Sequence, residues 1–193
     1  MEIIKLNSIC LINKFEKHNF YKKNLLNIFN LEKNFIKKKD EYYSDNIQKL
    51  DWNNSSDFNR DWVKLIIKDL QLYFESCLKI LNFEKVIIND IWFQQYGLNG
   101  THGWHTHGFN YTGVYYVDFK KNYAKTELIN PIDNKKIIIN AEEGDIIIFP
   151  SFIIHRSALQ KLNETKTIIS FNLTFNDISK EYLKKINDIA LYY

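Results

Sequence analysis

The chain has 193 residues, 45% of them hydrophobic, and a formal net charge of +3. That length suits one domain with a real core, and that share of hydrophobic residues excludes a disordered chain. No apolar run approaches the roughly 18–20 residues of a membrane span, and the small charge makes no case for a nucleic-acid face.

The opening stretch, Met1 to Ile12, is too polar and broken for a secretory signal. Cys10 and Cys77 stand far apart with no spacing partner, so neither a zinc ribbon nor a redox pair is expected. A reducing, cytoplasmic location follows. Only Arg60 and Arg156 are arginines among the 26 basic residues, so lysine is expected in places where other sequences use arginine.

Residues 13–38 carry Phe15, Phe20, Leu25, Ile28, Phe29, Leu31 and Phe35 at helical spacing. The Lys37-Lys38-Lys39 run, followed at once by Asp40-Glu41, is expected to be a solvated surface. Residues 44–60, rich in Asn, Asp and Ser, predict a loop. Next comes the clearest helix, over 60–82. Its stripe of Trp62, Ile66, Leu70, Tyr73, Phe74, Cys77 and Leu81 must pack on a core.

After Phe83 the texture changes. Runs at 86–96, 111–119, 136–140, 145–149 and 166–175 are rich in β-branched and aromatic residues and bounded by turn residues, which predicts strands. Residues 177–193 return to helical spacing, with Tyr182, Ile186 and Ala190 on one side. Helices first and then closely spaced strands argue for an antiparallel barrel or sandwich braced by helices. The expected organisation is one domain: a mostly helical region over 1–84, a β core over 85–176, and a C-terminal helix over 177–193.

Four of the five histidines fall in the strand-rich half. Side chains two apart on an extended segment share a face, so His105 and His107 can aim at one point. His102, at odd spacing, is expected to point elsewhere. His155 ends the run Gly144-Asp145-Ile146-Ile147-Ile148-Phe149-Pro150-Ser151-Phe152-Ile153-Ile154-His155, in which a buried strand and a Pro turn deliver a third imidazole. A metal on His105, His107 and His155 is the expectation, and imidazole suits Fe, Zn, Cu and Ni alike.

At these residues the sequence resembles the 2-oxoglutarate/Fe(II)-dependent oxygenases, especially those found in phage and marine bacterial genomes. The similar segments are Trp104-His105-Thr106-His107, Thr112-Gly113-Val114-Tyr115-Tyr116-Val117, Gly144-Asp145 through Phe149-Pro150-Ser151 to His155, and Ile169-Ser170-Phe171-Asn172. The resemblance implies a double-stranded β-helix, or jelly roll, holding Fe(II) on a facial triad, with 2-oxoglutarate as cosubstrate and O2 as oxidant. His105 and His155 match the first and distal ligands. His107 stands where the superfamily has a carboxylate, which leaves the charge of a bound ion uncompensated. The resemblance also implies that Lys166, eleven residues after His155, pairs with the distal carboxylate of 2-oxoglutarate in place of the usual arginine. It assigns Tyr116 to the same carboxylate and Tyr96 to the inner one, and ranks Arg156 as a second choice of anion partner. Trp92, Trp104, Phe109 and Tyr111 are candidates to line the pocket of a primary substrate that the sequence does not identify.

Two other functions stay open. A cupin-type three-His metalloenzyme that does not use 2-oxoglutarate fits the spacing Gly144-x5-Pro150-x4-His155, although no Glu follows His107 at four to five residues. A binding or structural module with a vestigial metal site is the other.

Overall fold

The computed structural model describes residues 6–33, 35–42 and 44–190. In chain order the elements are β1 (Leu11–Lys14), α1 (His18–Leu31), β2 (Ile36–Asp40), β3 (Asp45–Leu50), α2 (Asp61–Ser76), α3 (Leu78–Leu81), β4 (Phe83–Tyr96), β5 (His102–His105), β6 (Tyr111–Asp118), β7 (Thr126–Ile129), β8 (Lys136–Ile138), β9 (Asp145–Pro150), β10 (His155–Ser157), β11 (Lys166–Ile178) and α4 (Lys180–Ala190). A 3₁₀ turn at Trp52–Asn54 leads into α2. The predicted opening segment and the predicted C-terminal helix both run partly outside the described residues.

Seven strands form one sheet in the order β1-β9-β6-β11-β4-β3-β2, and four form a second in the order β5-β10-β7-β8. All pairings among the described strands are antiparallel. The two sheets face each other as a double-stranded β-helix, so the fold is mainly β with flanking helices, as the sequence predicts.

Period-two alternation sorts the large sheet into two faces. Ile91 and Phe93 of β4, Tyr115 and Val117 of β6, Ile146 and Ile148 of β9, and Ile169 and Phe171 of β11 pack outward, against Leu25 and Phe29 of α1 and Trp62, Ile66, Leu70 and Phe74 of α2. Their neighbours Trp92, Tyr96, Val114, Tyr116, Ile147, Phe149 and Ile168 turn inward to the barrel. Both faces are covered, which is why β9 reads as an unbroken apolar run. Each large apolar side chain taken out of water contributes about 1.5–3 kcal/mol, so the helix layer fixes the sheet and leaves the interior free to carry polar groups.

The helix over 60–82 is present with the predicted buried stripe, interrupted at Cys77 and closed by Asn82 in the left-handed conformation (φ 62°). Two expectations for the first half need correction. The helical pattern over 13–38 forms a helix only at His18–Leu31, and its buried face is His18, Tyr21, Leu25 and Phe29, while Phe20 and Leu31 are exposed. The predicted loop over 44–60 and the lysine run before it contain a β-hairpin, β2–β3. It lies at the sheet edge, where short strands with charged side chains are the rule and the apolar signal is weak. Lys37 and Lys39 face solvent, but Lys38 turns inward and places its ammonium 2.6 Å from buried Asp45. α4 starts beside α3, with the Ser179 N–H donating to the Asn82 carbonyl at 2.9 Å. No helix of the described residues is long and apolar enough to cross a membrane.

Gly113 on β6 is packed too closely to carry a side chain. A Cβ there would lie 2.1 Å from the Ile147 carbonyl oxygen and 2.6 Å from the Phe171 ring. Gly113→Ala should therefore destabilise the protein by roughly 1–3 kcal/mol, the usual cost of overpacking. Gly108→Ala, which meets nothing within 4 Å, should stay within about 0.5 kcal/mol of the parent. Denaturant unfolding of the two variants checks this; equal stabilities would refute it.

Candidate metal centre

Three imidazoles meet at one end of the barrel. His155, first residue of β10, is the direct cross-strand partner of His105, last residue of β5, and their ring centroids lie 4.3 Å apart. His107 lies just past β5, where its N–H donates to the Ser151 carbonyl at 3.1 Å and folds the loop back over the barrel. Its ring stands 5.0 Å from that of His105 and 5.1 Å from that of His155. One ring nitrogen from each of the three falls within 4.8 Å of the others. Metal–nitrogen bonds are about 2.0–2.1 Å long, so small ring rotations suffice for the three to share one ion.

Backbone contacts choose which nitrogen each ring presents. His105 Nδ1 lies 2.7 Å from the Gly103 carbonyl and His155 Nδ1 lies 2.8 Å from the Ile153 carbonyl. A carbonyl can only accept, so Nδ1 carries the proton and Nε2 keeps its lone pair, the arrangement that orients metal-bound imidazoles. Burial pushes all three rings toward the neutral form: His105 below its ordinary value, His107 down to about 3, and His155 well below. Three neutral, oriented imidazoles are a fitting donor set for a divalent transition metal.

His102 does not point elsewhere. It stacks on His105 with centroids 3.8 Å apart. The reason is a bulge: His105 pairs with His155 but His102 pairs with Ser157, three residues on one strand against two on the other. That irregularity reverses the parity of a regular strand. The fifth histidine, His18, is a core residue bonded to the Tyr115 hydroxyl at 2.8 Å.

The barrel interior beside the three rings holds a narrow cavity of about 30 Å³, lined by Tyr96, Thr126, Ser157, Ile168 and Ser170 among others. Space of that order admits only a water or two. Of the residues expected to hold 2-oxoglutarate, Tyr96 lines this cavity and donates to Gln94 Oε1 at 2.6 Å. Tyr116 and Lys166 stand one step behind the wall. The Tyr116 hydroxyl donates to Thr126 Oγ1 at 2.8 Å, and Lys166 Nζ donates to Ser157 Oγ at 2.5 Å and to the Ala124 carbonyl at 2.9 Å. Lys166 also lies over the Tyr96 ring at 4.6 Å. It is 1% exposed and no carboxylate among the described residues pairs with it, so burial alone pushes its ammonium down to about 7. Arg156 also borders the cavity, with its guanidinium engaged by Glu127 at 2.7 Å and by the face of Trp104 at 4.4 Å.

A wider cleft of about 640 Å³ opens on the other side of the imidazoles. Trp92 is the one aromatic candidate from the sequence that lines it. Phe109 is exposed, Trp104 packs on Arg156, and Tyr111 belongs to the edge of the helix-side core. Much of the wall comes from the hairpin, through Ile36, Lys38, Asp45, Ile47 and Leu50, with Trp52 meeting Trp92 edge-on at 4.4 Å. Sequence inspection missed these residues. The available signal was the alternation of Ile36, Lys38 and Asp40 and the isolated Ile47 and Leu50 within a polar stretch.

The lowered histidines fix how metal-free stability depends on pH. Below the ordinary value of 6.5 the unfolded chain takes up protons that the folded site, with His107 at about 3, refuses. The share of stability that the histidines contribute is therefore complete above about pH 6.5 and drains away as pH falls from there toward 3. Thermal unfolding of metal-free protein between pH 7.5 and 5 should show a falling midpoint, with a shallower slope in His107→Phe. Identical slopes in parent and variant would refute the assignment.

No protein-family model matches the sequence, and no curated protein matches it. Solved structures do match, among them 2-oxoglutarate/Fe(II) oxygenases. A viral collagen prolyl hydroxylase from Paramecium bursaria Chlorella virus-1 is 14% identical, with a TM-score of 0.60 over 87% of this chain and 96% of that one. A prolyl-4-hydroxylase from Pseudomonas putida is 10% identical, with a TM-score of 0.60 over 88% and 94%. SnoN, an α-ketoglutarate-dependent epimerase from nogalamycin biosynthesis, is 7% identical, with a TM-score of 0.68 over 88% and 77%. The resemblance seen in the motifs thus extends across nearly the whole chain as a shared backbone, and the fold of this protein is that of the 2-oxoglutarate/Fe(II) oxygenases.

Proposed function

We propose that this protein is an Fe(II)- and 2-oxoglutarate-dependent dioxygenase that oxidises a C–H bond of an unidentified substrate. The observation that carries this reading is the convergence of His105, His107 and His155, two of them with Nδ1 tied to backbone carbonyls. Solved structures of the same fold support it, one in complex with 2-oxoglutarate and one with Fe3+ and α-ketoglutarate. The three histidines would hold the metal. When bound, it supplies the O2 chemistry that couples oxidative decarboxylation of 2-oxoglutarate to C–H oxidation.

The chain's own part is orientation, charge and shielding. The Gly103 and Ile153 carbonyls hold two rings in one tautomer. Lys166 offers a buried cation with no carboxylate of its own, which a diacid would complete. Tyr96 and Tyr116 are proposed to support the carboxylates of that diacid. The present cavity is too small for it, and we propose that binding draws Lys166 away from Ser157. Trp92 and Phe149 wall the imidazoles from solvent. The cleft on the hairpin side is proposed to receive the primary substrate. The two cysteines are free in the structure, and we place the protein in a reducing compartment such as the cytoplasm.

The small cavity favours one second reading, a cupin-type three-His metalloenzyme that does not use 2-oxoglutarate. Anaerobic addition of Fe(II) and then 2-oxoglutarate separates the two. The weak visible charge-transfer band of a chelated 2-oxo acid should form with the parent and be lost in His105→Ala and His155→Ala. No band, together with oxygen uptake that needs no 2-oxoglutarate, would favour the second reading.

Lys166 gives this function a pH signature. Its free ammonium, at about 7, loses its proton as pH rises, and a carboxylate must restore it. Affinity for 2-oxoglutarate should therefore fall above pH 7, by up to about tenfold per unit, and Lys166→Ala should bind weakly at every pH while retaining metal. Titration calorimetry between pH 6.5 and 9 checks this; a flat parental profile places the anion partner elsewhere.

A further inference from the structure

Three neutral imidazoles leave a divalent ion with its whole charge unanswered, in a site where burial already opposes charge. The carboxylate that would answer it within the ligand set is replaced here by His107. Among the residues that line the cavity and the cleft around the three rings, Asp45 is the sole acid. Its side chain has no exposed surface. It enters from the β2–β3 hairpin, a different part of the chain from the ligands.

Asp45 is wired to the site by short contacts. Its Oδ1 accepts the Gly103 N–H at 2.8 Å, and the Gly103 carbonyl in turn accepts the Nδ1–H of His105 at 2.7 Å. The same Oδ1 faces His102 Nε2 at 3.8 Å, and His102 stacks on His105. Oδ2 makes no hydrogen bond of good geometry. Among the described residues its charge is answered by Lys38, whose ammonium lies 2.6 Å away on a side chain that is 40% exposed. A carboxylate is thus held, fully buried, behind a proposed metal ligand through Gly103, with the Lys38 ammonium on its far side.

We propose that Asp45 is a positioning residue that stands in for the missing ligand carboxylate: it fixes His105 through Gly103 and supplies from behind the rings the negative charge that tightens divalent-metal binding. Lys38 opposes it by neutralising that charge. This rests on the metal-site reading above, and its consequences run in opposite directions for the two partners. Outer-shell partners of metal-bound histidines typically change affinity by about 10–100-fold.

Co(II) titration of metal-free protein, read by visible absorption, tests this without any substrate. Asp45→Asn keeps an oxygen for the Gly103 N–H and removes the charge, with an amide NH2 in place of Oδ2. It should bind Co(II) at least about tenfold more weakly, with an unchanged band shape because the three nitrogens are unchanged. Lys38→Met should bind Co(II) more tightly than the parent and melt lower without metal, since Asp45 is then unpaired. Asp45→Asn with parental affinity, or Lys38→Met with weakened or unchanged affinity, overturns the proposal. If Asp45→Asn does not fold, Lys38→Met decides alone. A parent that binds no Co(II) overturns the metal-site reading as well, whereas parental binding by Asp45→Asn removes only this inference.

Discussion

Antiparallel pairing between β5 and β10 sets His155 opposite His105, and almost everything distinctive about the site descends from that register. Neither strand exceeds four residues. A slip of one position would turn the rings to opposite faces. What holds the register is the surrounding fold: β10 is paired on its other side to β7, where His155 faces Leu128, and β5 is pinned at Gly103 by Asp45. The bulge between His105 and His102 then brings a fourth ring against that of His105. Short strands at a barrel rim can be this exact only because neighbours on both sides fix them.

The division of labour between the two faces of the large sheet makes a polar interior affordable. Apolar side chains of β4, β6, β9 and β11 alternate, and the set that faces α1 and α2 forms a continuous hydrophobic core. Stability comes mainly from that outer layer. The inner set can therefore include Gln94, Thr112, Lys166 and Ser170, all buried, which a barrel with one core could not carry. Gly113 has no room for a side chain, with β9 backbone and the Phe171 ring of its own sheet both where one would begin.

Charge inside the barrel follows from burial rather than from pairing. The imidazoles are neutral because the charged form would be desolvated, and the Lys166 ammonium is weakened for the same reason, with hydroxyl and carbonyl oxygens as partners but no carboxylate among the described residues. The site is thus short of negative charge at both ends. At one end a diacid supplies what is lacking in the proposed reaction. At the other, the nearest source is Asp45, reached through Gly103 and shared with Lys38.

Sequence alone determined the β-rich second half, the long amphipathic helix, and the three histidines as a set, because each rests on local periodicity or on residue chemistry that survives any packing. Lys166, Tyr96 and Tyr116 became candidates through a resemblance in motif, and the structure places them at or just behind the cavity wall. Tertiary structure alone decided the rest. The β2–β3 hairpin is polar because it is an edge strand pair, so its composition imitates a loop. His102 joins the cluster through a bulge that odd spacing cannot reveal. Asp45 lies 58 residues before Gly103 in the chain, and no local pattern marks a carboxylate whose role comes from what folds against it. Periodicity records which side of an element is buried; which distant residue waits there is settled only when the sheets close.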